Sequence, residues 1–230
     1  MCERFGHHRL TLPAFAIEEL FPGFEETEIH VSSLPRGPSS TPAIDQIVLA
    51  KFAALLRPAQ LLEVGSFRGF TARLLAENTG PETVIHALDV DPAHGAAYRD
   101  TPLAERVRRH VGSLTATPAT LAGLRFDFVF VDADHARAAV EADTRALLPM
   151  LSEGGVIFWH DYADWGWMNG ANRVPEVLAA LSQAIPVLSI AGTNLAVHRN
   201  GWSHRSIAGA VASWRAKVGA GQWDTPLIRG

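Results

Sequence analysis

The chain has one cysteine, Cys2, so an intramolecular disulfide and a zinc site built from several thiolates are both excluded. It has two lysines, Lys51 and Lys217, which puts nearly all positive charge on arginine and leaves few candidates for a catalytic amine. Charged residues are scarce, at 19%, and the net charge is −4, so a basic platform for nucleic acid is disfavoured. No apolar run reaches the ~18 residues that a membrane span needs. The opening residues carry scattered charge and no long apolar segment, so they do not read as a signal peptide. The expected location is the cytoplasm.

Against these absences stands a large apolar content, 47% of 230 residues, enough for the core of one α/β domain with modest additions. Residues 1–42 are irregular and punctuated by Pro13, Pro22, Pro35, Pro38 and Pro42, with a short helix expected over Ala14–Leu20. From Thr41-Pro42 the pattern turns helical, with Ile44, Ile47, Val48, Phe52 and Leu55 at helical spacing, and Pro58 closes the segment. Strand and helix patterns then alternate. Strands are expected at Gln60–Val64, Thr83–Leu88, Val107–Val111, Phe126–Val131 and Val156–Trp159. Helical patterns lie at Phe70–Glu77, Pro92–Arg99, Leu103–Arg106, Pro118–Leu124, Ala136–Leu151 (stopped by Gly154-Gly155) and Val174–Leu181. Pro186–Ile190 and Asn194–Arg199 read as a hairpin, which gives one antiparallel strand, and Trp202–Val218 as a closing helix. The repeated alternation predicts an α/β doubly wound, Rossmann-like sheet, mostly parallel with the last strand antiparallel.

Ligands of such sheets sit beyond the carboxyl ends of the strands. The first strand runs into Glu63-Val64-Gly65-Ser66-Phe67-Arg68-Gly69, which lacks the G-x-G-x-x-G dinucleotide fingerprint. Glu63 near that turn repels a pyrophosphate and suits a cationic ligand. Asp89 ends the second strand, about 20 positions on, where a carboxylate accepts hydrogen bonds from a ribose diol. Asp91, before Pro92, reads as a helix cap. Gly112, Ser113 and Leu114 follow the third strand, where an adenine ring can lie against backbone. The fourth and fifth strands end in Asp132-Ala133-Asp134-His135 and His160-Asp161-Tyr162. Adjacent parallel strands bring Asp132, His135, His160 and Asp161 to one cleft, while Asp134 reads as a turn former.

The segments LLEVGSFRGFTARLL (61–75), ALDVDP (87–92), VGS (111–113), FDFVFVDADHARAAVEADTRALLPMLSEGGVIFWHDY (126–162) and TNLAVHR (193–199) together resemble the class I S-adenosylmethionine-dependent methyltransferases. The D-x-D-H and H-D-Y pair is similar to small-molecule O-methyltransferases of the catechol, macrolide and sugar groups. The resemblance implies a seven-stranded sheet and S-adenosylmethionine as cofactor. It places Glu63, Gly65, Ser66 and Gly69 at the methionine part, with Glu63 contacting the loop or the amino group, Asp89 at the ribose, Val90, Gly112 and Ser113 beside the adenine, and Asp132 both at the cofactor and in catalysis. In the metal-dependent members the positions of Asp132, His160 and Asp161 bind a divalent ion, and the position of His135 supplies the base. An imidazole at position 160 departs from the all-oxygen pattern. As a ligand it favours a transition metal over magnesium; otherwise it orients the acceptor or is structural.

The expected partner is a small hydroxylated metabolite, with no nucleic acid and no membrane. Residues 1–42 would then form a lid or a homodimer contact, 43–202 the cofactor-binding domain, and 203–230 a closing helix and tail. Trp165, Trp167 and Met168 are candidates for the acceptor pocket. Two other enzyme readings compete: an NAD-dependent oxidoreductase, which the missing glycine opposes, and a metal-dependent hydrolase or oxygenase using the Asp132, His135, His160 and Asp161 cluster. A cofactor-binding module without acceptor chemistry is the non-catalytic alternative.

Overall fold

The computed structural model of the chain describes residues 10–35, 40–116, 119–163 and 171–220. Its strands are β1 (Gln60–Val64), β2 (Val84–Asp89), β3 (Val107–Val111), β4 (Phe126–Val131), β5 (Leu151–Trp159), β6 (Leu188–Ser189) and β7 (Ala196–Arg199). They form a seven-stranded sheet in the order β3-β2-β1-β4-β5-β7-β6. β7 runs antiparallel to both of its neighbours and the remaining pairs are parallel, as the sequence predicts. The order reverses between β1 and β4, which is the switch point where such sheets open a crevice.

Alternation along the strands splits the core into two layers. Phe128, Phe130 and Phe158 face α2 (Ala43–Leu56) and α3 (Phe70–Glu77), while Val129, Ile157 and Trp159 face α5 (Arg137–Leu147) and α6 (Val174–Leu181). Phe15, Phe21 and Phe24 from the segment before α2 enter the first layer, where the Phe21 and Phe52 rings lie 4.8 Å apart. α1 (Ile17–Leu20) and α7 (His204–Gly219) meet on that side, and Ser203 caps α7 through a capping box with Ser206. α4 is a single turn, Ala96–Arg99.

Four sequence expectations change. The helix expected over Ala136–Leu151 ends at Leu147, where Pro149 lacks the N–H that would continue it and a single 3-10 turn, Leu148–Met150, follows. Leu151 already pairs with Phe126 as the start of β5. Gly154-Gly155 therefore lie inside a strand: the register jumps from Leu151 opposite Phe126 to Val156 opposite Phe128, and a Cβ on Gly155 would come 2.6 Å from the Phe126 carbonyl. On α2 the expected inner stripe is rotated at its start. Ile44 is 50% exposed, while Asp45 and Gln46 are buried at 0% and 1%. Pro118–Leu124 contains only a single 3-10 turn, Ala119–Leu121, among its described residues. Trp165, Trp167 and Met168 lie outside the described residues. Among the described residues no helix is long and apolar enough to cross a membrane.

Candidate active site

At the carboxyl edge of the sheet each ladder continues one residue past its strand. Gly65 N–H donates to the Leu88 carbonyl, Asp132 N–H to Val64 and His160 N–H to Val131, all at 2.9 Å. These bonds fix the backbones of the three residues that open the loops. Gly65 has φ +89°, and a Cβ there would sit 1.9 Å from the Asp132 carbonyl oxygen, so only glycine fits. Gly69 has φ +82°, and a Cβ would strike the Tyr98 ring at 2.6 Å. The loop is thereby pressed against β4 on one side and α4 on the other.

Two cavities flank this loop. One, of about 440 Å³, is lined by Leu88, Asp89, Val90, Gly112, Ser113 and Leu114, among others. The other, of about 320 Å³, includes Thr41, Ser66, Gly69 and His135. Gly65, Phe67, Asp132 and Ala133 belong to both, so the two form one cleft over β1 and β4. Of the residues expected at the cofactor, Gly65, Asp89, Val90, Gly112, Ser113 and Asp132 line the first cavity, and Gly65, Ser66, Gly69 and Asp132 the second.

Glu63 lines neither cavity. It is 1% exposed beneath the loop, bonded to the Ser66 hydroxyl, so its visible work is to hold the loop's shape. Burial pushes its carboxyl up to about 8; the Ser66 bond opposes this and the charges of Asp132 and Asp89 add to it. Asp89 behaves oppositely. Burial alone would raise it, but N–H bonds from Asp91 (2.9 Å) and Phe67 (2.8 Å), together with the His94 ring at 2.8 Å, hold it below the usual carboxylate range. It stays ionised at the mouth of the larger cavity, which is the state a ribose diol needs.

The expected cluster assembles at the ends of β4 and β5. His135 Nε2 lies 2.6 Å from Asp161 Oδ2. His160 Nδ1 lies 3.1 Å from Asp161 Oδ1 and 3.3 Å from Asp132 Oδ1. Asp134 bonds the Ala136 N–H at 2.8 Å and is the turn former expected. Asp161 takes a left-handed backbone, φ +56°, uncommon outside glycine and found where surroundings over-determine a residue. Asn172 supplies part of that constraint by donating to the Asp161 carbonyl at 2.7 Å, and Arg173 N–H bonds the His135 carbonyl at 2.9 Å. Burial pulls both histidines down, yet both titrate above the ordinary value. For His135 the bond and charge of Asp161 outweigh burial; for His160 the charge of Asp132 and the nearness of Asp161 and Asp45 do. The same contacts hold Asp161 well below the usual carboxylate range, although burial alone would raise it.

Two members of the cluster come from the start of α2 and were not legible as site residues. Thr41 Oγ1 donates to Asp132 Oδ2 at 3.1 Å, and Asp45 Oδ2 bonds His160 Nε2 at 3.0 Å. Neither stands near a strand end in sequence, and the burial of Asp45 runs against the apolar spacing of its helix.

The donor set suits a divalent ion. Asp132, His135 and Asp161 each offer a ligand atom, all within 4.8 Å of one another. The 3.1 and 3.3 Å separations at His160 Nδ1 are those of neighbouring ligands on one ion, since two bonds of about 2.1 Å at right angles put their donors about 3.0 Å apart. His160 Nδ1 is buried and faces both carboxylate oxygens, a place that a proton on the ring or a bound cation fills.

Residues 62–162 match the family model described as a methyltransferase domain. A stretch of 90 residues, 37% of this chain, is 36% identical to a catechol O-methyltransferase of Mycobacterium tuberculosis. This chain spans about two fifths (41%) of the length of that curated relative. Among solved structures, an S-adenosylhomocysteine-bound methyltransferase of Podospora anserina superposes with a TM-score of 0.61 at 21% identity, over 83% of this chain and 90% of that one. An O-methyltransferase of Streptomyces achromogenes involved in tomaymycin synthesis, in complex with S-adenosylmethionine, gives 0.58 at 19% identity, over 80% and 96%. These likenesses establish the fold.

Proposed function

We propose, on the premise that residues 62–162 are a methyltransferase domain, that this chain moves the methyl group of S-adenosylmethionine to a hydroxyl of a small metabolite, assisted by a divalent ion. The observation that carries this reading is the shared wall of the two cavities, where Asp132 stands with His135 and Asp161 beside it.

S-adenosylmethionine supplies an electrophilic methyl on a sulfonium, and transfer is an in-line displacement that needs position more than covalent help. On this reading Asp89 receives the ribose, Val90, Gly112 and Ser113 border the adenine, and Gly65, Ser66 and Gly69 shape the methionine end. Glu63 acts through Ser66 as the loop's anchor. The smaller cavity holds the acceptor, and Ser40 and Thr41 on its wall fit the lid role expected of residues 1–42. A divalent ion lowers the pKa of a hydroxyl bound to it. Asp132, Asp161 and His160 would hold that ion.

His135 takes the acceptor's proton. A carboxylate only accepts hydrogen bonds, so the contact with Asp161 Oδ2 keeps the neutral ring's proton on Nε2 and leaves Nδ1 as its basic atom. An NAD-dependent oxidoreductase finds no phosphate-binding glycine pattern at β1. A hydrolase or oxygenase built on the cluster leaves the 440 Å³ cavity without a role.

Calorimetry with S-adenosylhomocysteine and with NAD, run separately on the full chain, tests the core of the reading. Saturable binding of the first and none of the second is expected. Indifference to S-adenosylhomocysteine at millimolar levels would sink it. A screen of hydroxylated acceptors with and without a chelator then tests the role of the ion.

A further inference from the structure

Asp45 is fully buried in the first turn of α2, far from any strand end in sequence. Its Oδ1 accepts a 3.0 Å bond from Asn194 N–H in the loop before β7, and its Oδ2 meets His160 Nε2 at 3.0 Å. A carboxylate has no proton to give, so the second contact is a hydrogen bond only if Nε2 carries the proton. The neutral ring then has its lone pair on Nδ1, the atom that faces Asp132 Oδ1 and Asp161 Oδ1. In the neutral ring three electron-rich atoms converge there, and the place between them is filled either by a second ring proton or by a metal ion. Such an arrangement is stable around a cation. A metal-bound imidazole commonly donates its other N–H to a carboxylate, which fixes tautomer and ring orientation.

We propose that Asp45 is the positioning residue of this site: it locks His160 as the Nε2–H tautomer, makes Nδ1 a nitrogen ligand beside Asp132 and Asp161, and so biases the site toward borderline transition ions over magnesium. This rests on the metal-assisted reading above and adds to it a residue from outside the matched domain. Helix α2 and the loop before β7 thereby share in setting the ion's ligands.

The test uses the full chain, zinc alone and magnesium alone, by calorimetry, with ¹⁵N spectra of the histidine rings in the zinc-loaded protein. The wild type is expected to bind zinc more tightly than magnesium, with the His160 proton on Nε2 and the ion on Nδ1. Asp45→Asn keeps the shape and the acceptor for Asn194 N–H, but its amide donates to Nε2 and drives the proton to Nδ1. Zinc affinity should fall by about 10–100-fold and magnesium affinity by much less, with S-adenosylhomocysteine binding and the melting curve unchanged. Undiminished zinc affinity in folded Asp45→Asn overturns the role of Asp45 and leaves the metal reading standing. A wild type that binds S-adenosylhomocysteine but neither ion overturns both. Should Asp45→Asn not fold, the wild-type spectrum decides: zinc on Nε2, or no zinc on His160, refutes the proposal.

Discussion

Two pairs of histidines, one inside the sheet and one at its carboxyl edge, are built to opposite ends. His86 on β2 and His110 on β3 stack with centroids 5.1 Å apart and planes 10° from parallel. Gln60 Oε1, His86, His110 and Thr120 Oγ1 form a chain with steps of 3.0, 2.9 and 2.8 Å. His135 and His160, at the ends of β4 and β5, sit instead among Asp45, Asp132 and Asp161. Every ring nitrogen of the first pair has a neutral partner, and burial lowers both rings. The second pair is raised by carboxylates. A buried histidine is thus structural or functional according to its partners, not its depth.

The largest effect should separate the pairs outright. His135→Ala is expected to cut methyl transfer by about 10²–10⁴-fold, the usual worth of a positioned base. It should leave S-adenosylhomocysteine affinity and thermal melting near wild type. His110→Gln should do the reverse, costing about 1–3 kcal/mol through a disturbed hydrogen-bond chain, with the rate per folded molecule unchanged. Equal loss of rate in both variants would erase the distinction.

The second pair was legible before the first because strand ends advertise themselves. FDFVFV followed by D-A-D-H, and VIFW followed by H-D-Y, place side chains at known points of a parallel sheet. Asp45 was hidden for a physical reason: helical periodicity assigns the buried face to apolar residues, and here a carboxylate holds it by meeting an imidazole and a backbone N–H. His86 and His110 were hidden as well, since a ring inside a strand shows its partners only once the register pairs Leu88 with His110 and His86 with Arg108. Glu63 was expected to contact either the loop or the amino group of the cofactor, and its side chain lies beneath the loop, bonded to Ser66.

Glu63 sharpens the rule as a buried acid without a cation. Its native value of about 8 lies above 4.5, so between those values the folded chain keeps a proton that the unfolded chain loses. Stability should therefore fall as pH rises from about 4.5 through 8, by a few kcal/mol in total. Glu63→Gln, whose amide has no such titration, should flatten that limb. Urea unfolding at pH 6 and pH 9 checks it, and an unchanged slope in the variant would mean that a cation already pairs with Glu63.

The smallest effect comes from His86 and has the opposite sign. Gln60 Oε1 only accepts, so it fixes a proton on His86 Nε2. His86 Nδ1 then accepts from His110 Nε2–H, and His110 Nδ1 accepts from the Thr120 hydroxyl. The chain runs in one direction and uses one proton per ring, so a second proton on His86 would point at the N–H of His110. Burial is the largest cause holding the ring down to about 4, and the charges of His110 and Arg108 add to it. The unfolded ring takes its proton near 6.5, so this contribution is complete above that pH and is lost as pH falls toward 4. The expected loss is on the order of 2 kcal/mol. His86→Gln, which cannot charge, should remove that part of the acid limb without touching the alkaline one assigned to Glu63. If the variant loses the alkaline slope instead, the two ends of the sheet are coupled and the pairs are not independent.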